Sequence, residues 1–180
     1  MITTKIQVIA TPLGNLVAKW TKQGLFSVQF QNTPDDPIKS AGQADLSQSS
    51  CPPEKTLKKF EKSVTKYFST AKFDWDLAGL DWTDVPPFHR RVLKACSEID
   101  SGITVTYGEL ARRSGSPLAA RAVGQAMARN RWPLLIPCHR VVGCSGKLTG
   151  YSGTGGLLTK ARLLQHERGE LIGQQIAARR

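Results

Sequence analysis

Residues 106–128 read TYGELARRSGSPLAARAVGQAMA, and this stretch decides how the second half of the chain folds. Its spacing predicts a short helix over Thr106 to Arg113, a tight turn at Ser114-Gly115-Ser116-Pro117 and a further helix over Leu118 to Ala128, with Ser116 as N-cap and Pro117 in the first turn. Two short helices joined by a glycine-containing turn suggest a helix-turn-helix, although many helix pairs bind nothing. The later helix carries small residues at Ala119, Ala120, Ala122, Gly124, Ala126 and Ala128. A glycine inside a helix costs roughly 1 kcal/mol against alanine, so close approach of another backbone is expected there, from a helix or from a nucleic-acid groove. Small side chains suit a narrow minor groove, and Arg121 near the middle of the helix slightly favours a groove.

Upstream, Phe88, Val92, Leu93, Cys96 and Ile99 share one helical face behind a pair of prolines. The first half reads differently. Lys5 to Ala10, Leu16 to Trp20 and Leu25 to Phe30 form an antiparallel meander, with turns at Thr11-Pro12-Leu13-Gly14 and Lys22-Gln23-Gly24. Residues 31–53 are a polar loop, Lys55 to Phe68 is a helix with Leu57, Phe60, Val64 and Phe68 inward, and Phe73 to Pro87 is a connection. The expected architecture is α+β, with a structural unit over 1–85 and a helix-turn-helix unit over 86–180.

Downstream, Pro137-Cys138-His139-Arg140-Val141 sets a thiol beside an imidazole, after a proline that stops helix continuation. A thiol is a strong nucleophile only as thiolate, and His139 and Arg140 are placed to lower its ordinary value of about 8.5. A buried structural cysteine is the competing reading. The glycine-rich stretch from Gly150 to Gly156 lacks the Gly-Lys-Ser/Thr ending of a phosphate loop and reads as a pocket wall. Thr159 is expected to cap a last helix ending at Arg168, with Gly169 as its stop. Glu167, in its last turn, opposes the helix dipole and therefore calls for a cationic or hydrogen-bonding partner, for which His139 is a candidate.

The charge is unevenly divided. The chain is +11 overall, yet residues 1–85 hold 10 Lys and Arg against 9 Asp and Glu, while residues 86–180 hold 15 against 5. The second half thus suits a polyanion partner, or a solvated basic surface. Four cysteines without a Cys-x-x-Cys and three histidines without zinc spacing argue against a metal site and for a reducing compartment. No signal peptide or membrane span is legible, so a cytoplasmic protein without membrane association is expected.

Taken together, Tyr107-Gly108-Glu109-Leu110-Ala111, Ala120-Arg121-Ala122-Val123-Gly124, Asn130 and Ile136 to Val142 resemble the O6-alkylguanine-DNA alkyltransferases, the methylated-DNA protein-cysteine methyltransferases. The match in order and spacing covers residues 86–168, and the N-terminal strands and Tyr67-Phe68 fit the bacterial form more loosely. The resemblance implies a ribonuclease-H-like N-terminal domain and a C-terminal winged helix-turn-helix. It implies a DNA repair protein that flips O6-alkylguanine out of duplex DNA and takes the alkyl group irreversibly on Cys138, acting once, as a monomer and without cofactor or metal. The roles it implies are a relay from Glu167 through His139 and a water to Cys138, and an ordering of the cysteine's turn by Asn130. Arg121 would fill the space of the extruded base on a surface formed by Ala120, Ala122 and Gly124. Tyr107 would crowd the phosphate and donate to the departing base, tuned by Lys160, while Met127, Val141, Tyr151 and Ser152 line the guanine pocket. The stretch from Tyr151 to Gly156 is longer than the family pattern, which touches pocket width. The alternatives are a non-catalytic helix-turn-helix module recognising alkylated DNA and, more distantly, a cysteine hydrolase.

Overall fold

A computed structural model describes residues 5–31, 52–151, 153–167, 170–172 and 175–177, the last two segments as backbone alone. The chain divides into two compact units, Met1–Thr83 and Asp84–Arg180.

In the first unit, β1 (Lys5–Thr11), β2 (Gly14–Thr21) and β3 (Gly24–Phe30) form an antiparallel sheet in the order β1-β2-β3. Helix α1 (Glu54–Thr70) follows Pro53 and ends at Ala71, which adopts a left-handed conformation. Phe60, Ser63, Val64 and Tyr67 are its buried residues, so the inward stripe runs through Tyr67, and Phe68 is only half-buried. Trp20 of β2 meets Phe60 edge-on at 5.4 Å, and Trp75 meets Phe60 at 5.2 Å. In the stretch expected as a connection, Leu80 and Asp81 are thus buried and Trp75 is half-buried against the core, while most of the rest is exposed or half-buried. Its backbone is held by Asp81 N–H donating to Leu25 O at 3.0 Å, and the Thr21 hydroxyl donates to the Asp81 carboxylate at 2.5 Å. Gly24 lies at φ +136, and a Cβ there would collide with the carbonyl of Gly79.

In the second unit, α2 (Pro87–Ser97) buries Val92, Leu93, Ala95 and Cys96, with Ile99 buried just beyond it. Strand β4 (Val105–Thr106) leads straight into α3 (Tyr107–Arg113), where the Thr106 hydroxyl accepts from Glu109 N–H at 3.1 Å as N-cap. Helix α4 (Ala120–Ala128) starts later than the sequence predicts, and no side chain caps it. The reason lies at the end of α3. Gly115, at φ +73, donates to Arg112 O at 3.0 Å and Ser116 N–H donates to Ala111 O at 2.9 Å, so Ser116 closes the preceding helix rather than opening the next. Strand β5 (Val141–Val142) pairs in parallel with β4, Val105 opposite Val141. Helix α5 (Gly156–His166) begins after Gly155 at φ +81, placing Thr159 inside its first turn instead of at its cap. The hairpin of β6 (Glu170–Ile172) and β7 (Gln175–Ala177) was not foreseen, and Gly169, the expected stop, lies outside the described residues. Among the described residues no helix is long and apolar enough to cross a membrane.

Candidate active site

The segment from Trp132 to Val142 is buried throughout, which fixes the thiol in place from both sides. Asn130 brackets its start: its Nδ2 donates to Ile136 O at 2.8 Å and its Oδ1 accepts from Trp132 N–H at 2.9 Å. Ile136 O also accepts from Cys138 N–H at 2.8 Å, so one carbonyl joins Asn130 to the nucleophile's own backbone. Leu134 holds φ +75, a left-handed conformation that a non-glycine residue keeps only under surrounding constraint. Asn130→Ala is expected to cost about 1–3 kcal/mol, because Ile136 O loses one of its two donors and Trp132 N–H loses the Asn130 acceptor, read as a lower urea midpoint at unchanged m-value.

Cys138 opens a single turn of 3-10 helix, Cys138–Arg140, and is 7% exposed. Burial pushes its thiol up, against the opposing pull of Asn130 and Lys160. This corrects the expectation of a thiol lowered by His139 and Arg140: at rest the sulfur keeps its proton, and Arg140 is engaged elsewhere. Arg140 Nε donates to Glu167 Oε2 at 2.8 Å and its Nη2 to Oε1 at 2.7 Å, while Nη1 donates to Ile99 O. His139 Nε2 lies 3.0 Å from Glu167 Oε1. Burial alone would raise the Glu167 carboxyl, but hydrogen bonds from His139 and Arg140, together with the guanidinium charge, outweigh it and hold it well below the usual carboxylate range. Burial holds the imidazole below its ordinary value, against the pull of Glu167, so the ring is neutral at pH 7. Its Nδ1 is buried and has no partner among the described residues. The partners that Glu167 requires at a helix C-terminus thus include His139, Arg140 and the Gly102 N–H, which donates to Oε2 at 3.4 Å, and sequence reasoning named only His139. The missed signal was an arginine directly beside it, able to fork around a carboxylate.

A cavity of about 230 Å³ adjoins the thiol, lined by Tyr107, Gly124, Met127, Cys138, Gly150 and Tyr151 among others. Gly124 faces this space: a Cβ there would meet only the Tyr107 ring, at 3.9 Å, so among the described residues no neighbouring helix backbone makes the close approach expected at the small-residue helix. Tyr151 folds back over Gly153, where a Cβ would lie 2.5 Å from the ring, and its hydroxyl is buried without a partner. Val141 and Lys160 do not line the cavity but support it. The fully buried Lys160 Nζ donates to Val141 O at 2.6 Å, Thr149 O at 2.8 Å and Gly150 O at 3.3 Å, so it is no solvated helix cation. Burial pushes it down to about 8. The Tyr107 hydroxyl donates to the same Thr149 carbonyl at 3.3 Å, so lysine and phenol meet through a shared acceptor and not directly. Burial pushes this phenol up. Ser152 lies outside the described residues. Arg121 is exposed on α4, flanked by half-buried Ala120 and Ala122. Among the described residues no three His, Cys, Asp or Glu side chains are grouped to hold a metal.

The region that carries these residues matches known proteins. The profile described as 6-O-methylguanine DNA methyltransferase, DNA binding domain, covers residues 87–169. A methylated-DNA protein-cysteine methyltransferase of Methanothermobacter thermautotrophicus is 35% identical over 163 residues, 91% of this chain and 85% of that protein. The chain belongs to the methylated-DNA protein-cysteine methyltransferase family. A solved structure of the Mycobacterium tuberculosis O6-methylguanine methyltransferase superposes with a TM-score of 0.69 at 31% identity, covering 92% of this chain and 93% of that one. The M. tuberculosis OGT in complex with DNA matches at a TM-score of 0.69 and 33% identity over 91% of this chain and 92% of that one. Methyltransferases of this family are therefore similar to this chain across both of its units, with the profile match confined to the second.

Proposed function

We propose that this protein repairs DNA by removing the alkyl group of O6-alkylguanine in double-stranded DNA and keeping it on Cys138. The observation that carries this reading is a buried thiol at the wall of a cavity, next to a neutral imidazole clamped by Glu167. The thiol proton passes through a water to His139 Nδ1, which no described residue engages, while the Glu167 carboxylate, held in place by Arg140, stabilises the imidazolium that forms. The sulfur then attacks the alkyl carbon, the carbon–oxygen bond breaks with its electron pair leaving on guanine O6, and the base regains a proton, for which the Tyr107 phenol is the nearby donor. The thioether has no route back to thiol, so each molecule acts once.

The target atom lies inside the base stack, so the nucleotide is flipped out, with Arg121 filling its place and Tyr107 crowding the phosphate. Helices α3 and α4 act as the helix-turn-helix of a winged domain, with Ala120, Ala122 and Gly124 against the minor groove. Met127, Tyr151 and Ser152 surround the base, with Val141 and Lys160 holding the wall. The second unit carries the reaction and the first, a trimmed ribonuclease-H-like sheet with one helix, is structural. The protein works as a cytoplasmic monomer.

Incubation with a duplex carrying labelled O6-methylguanine is expected to move label to protein one to one, and Cys138→Ala to abolish it. Transfer surviving that substitution overturns the reading, and tight binding to the alkylated duplex without any change of mass would leave a recognition module instead. Arg121→Ala is expected to slow transfer from duplex while sparing transfer from the free base. Equal losses on the two substrates would remove its flipping role.

A further inference from the structure

The near-neutral total of the first half conceals a basic face. Lys55, Lys58, Lys59, Lys62 and Lys66 of α1 are all exposed and recur at intervals of three and four, against only two glutamates, Glu54 and Glu61, on the same helix. These lysines stand where helix energetics least want them. Lys55, Lys58 and Lys59 occupy the first turns, near the positive end of the dipole, and the last turn has no basic residue at all. Lys55 and Lys59, Lys58 and Lys62, and Lys62 and Lys66 are like charges four apart, each pair disfavouring the helix. Only partial relief comes from within the unit: Lys58 pairs with Glu54 at 2.7 Å and Lys66 with Asp74 at 3.2 Å, both exposed, and Lys59 lies 5.6 Å over the Trp75 ring. Two shallow grooves, of about 570 and 510 Å³, run along this face. Lys58, Lys62 and Lys66 line one together with Glu61, Thr65 and Ser69, and Lys55, Lys58, Lys59 and Lys62 line the other with Glu54, so cations outnumber carboxylates in both.

We propose that the lysine face of α1 is a second DNA-backbone contact, gripping duplex phosphates independently of sequence and separately from the alkyl-transfer site. The dimensions suit this. Lys55 to Lys66 spans about 16 Å at a rise of 1.5 Å per residue, the axial rise of about five phosphates of one duplex strand. Lysine ammonium groups meet phosphate oxygens without reading bases, whereas the Thr65 and Ser69 hydroxyls already donate to carbonyls of their own helix, at 3.0 and 2.7 Å. An anionic membrane surface fits less well, because a helix lying in one needs an exposed apolar face, and here Phe60, Val64 and Tyr67 are spent on the unit's own core.

The proposal rests on the reading of this chain as a DNA repair protein, and its test keeps the two apart. Affinity for an unmodified duplex is measured against salt for the full chain and for a Lys55→Gln/Lys58→Gln/Lys62→Gln variant. The slope of log affinity on log salt is expected to become shallower by about 0.9 per lost phosphate contact, close to three for the triple variant, and to be restored by arginine at the same positions. Methyl transfer from free O6-methylguanine base is expected to be unchanged, and thermal melting confirms that the variant is folded. An unchanged salt slope overturns the proposal. So does parent binding to phosphatidylserine-containing vesicles that the variant loses while its duplex affinity stays intact. A parent that takes no methyl from the free base would sink the repair reading alone, since the slope is read on unmodified duplex.

Discussion

Glu167→Ala is expected to destabilise the second unit by about 3–5 kcal/mol, because it strands a buried guanidinium and removes the acceptor from a buried imidazole in one step. Arg140 makes both of its carboxylate hydrogen bonds to this one residue, and its remaining bond, to Ile99 O, neutralises no charge. Urea denaturation checks the size of the loss. Glu167→Gln keeps the shape and an acceptor oxygen, so it should retain more stability, yet slow transfer by about 10²-fold or more through a weakened His139 while leaving DNA affinity intact. An equal fall in affinity would show that the cluster serves binding and not the relay. The pH dependence has a definite sign. A carboxyl held low in the folded state contributes stability that is present above the unfolded value of about 4.3 and is lost as pH falls below it, so parent and Glu167→Gln should converge in stability as the medium turns acid.

Lys160→Met is expected to collapse the cavity wall with a smaller stability change and a large loss of transfer. The methionine leaves the Val141, Thr149 and Gly150 carbonyls without their shared donor, at roughly 1–3 kcal/mol for a stranded buried acceptor, but it also removes the cost of burying an ammonium. These opposing terms make the transfer rate the more sensitive readout, with about a 10²-fold loss expected once the reacting groups drift by an ångström. Stability against pH isolates the charge. With the folded value pushed down to about 8 and the unfolded one near 10.4, the unfolded chain binds more protons between them. The parent should therefore gain stability as pH rises through that window, and Lys160→Met should lack that gain. Urea midpoints of the two proteins at the ends of the window check it.

What was legible in the sequence followed from local chemistry. The short helix ending at Arg113, the two-residue turns ahead of Gly14 and Gly24, and Asn130 beside the cysteine's turn each depend on neighbours a few positions away. What was not legible depends on distant partners. A lysine on an amphipathic helix is ordinarily solvated, and only the three carbonyls converging from residues 141, 149 and 150 make burial of Lys160 tolerable. Arg140 reads as a charge beside a thiol until Glu167, 27 positions later, is seen to occupy it. Trp75 lies in a polar stretch that reads as a linker, and only the edge-on packing against Trp20 and Phe60 seats it against the core.

Helix α5 carries Lys160 and, at its C-cap, Glu167. Seven residues separate them, close to two helical turns and about 10 Å, so both side chains leave the same face of one rod. The rod is thus a gauge as well as a support: the lysine that holds the wall and the carboxylate that holds the imidazole are set at a fixed spacing and phase by a single rigid element. Inserting one residue between them would swing Glu167 about 100° out of phase, whereas a seven-residue insertion would preserve the phase and lose only the spacing. Variation in alkyl-group tolerance is consequently free to accumulate in the loop before α5, but not within its last two turns.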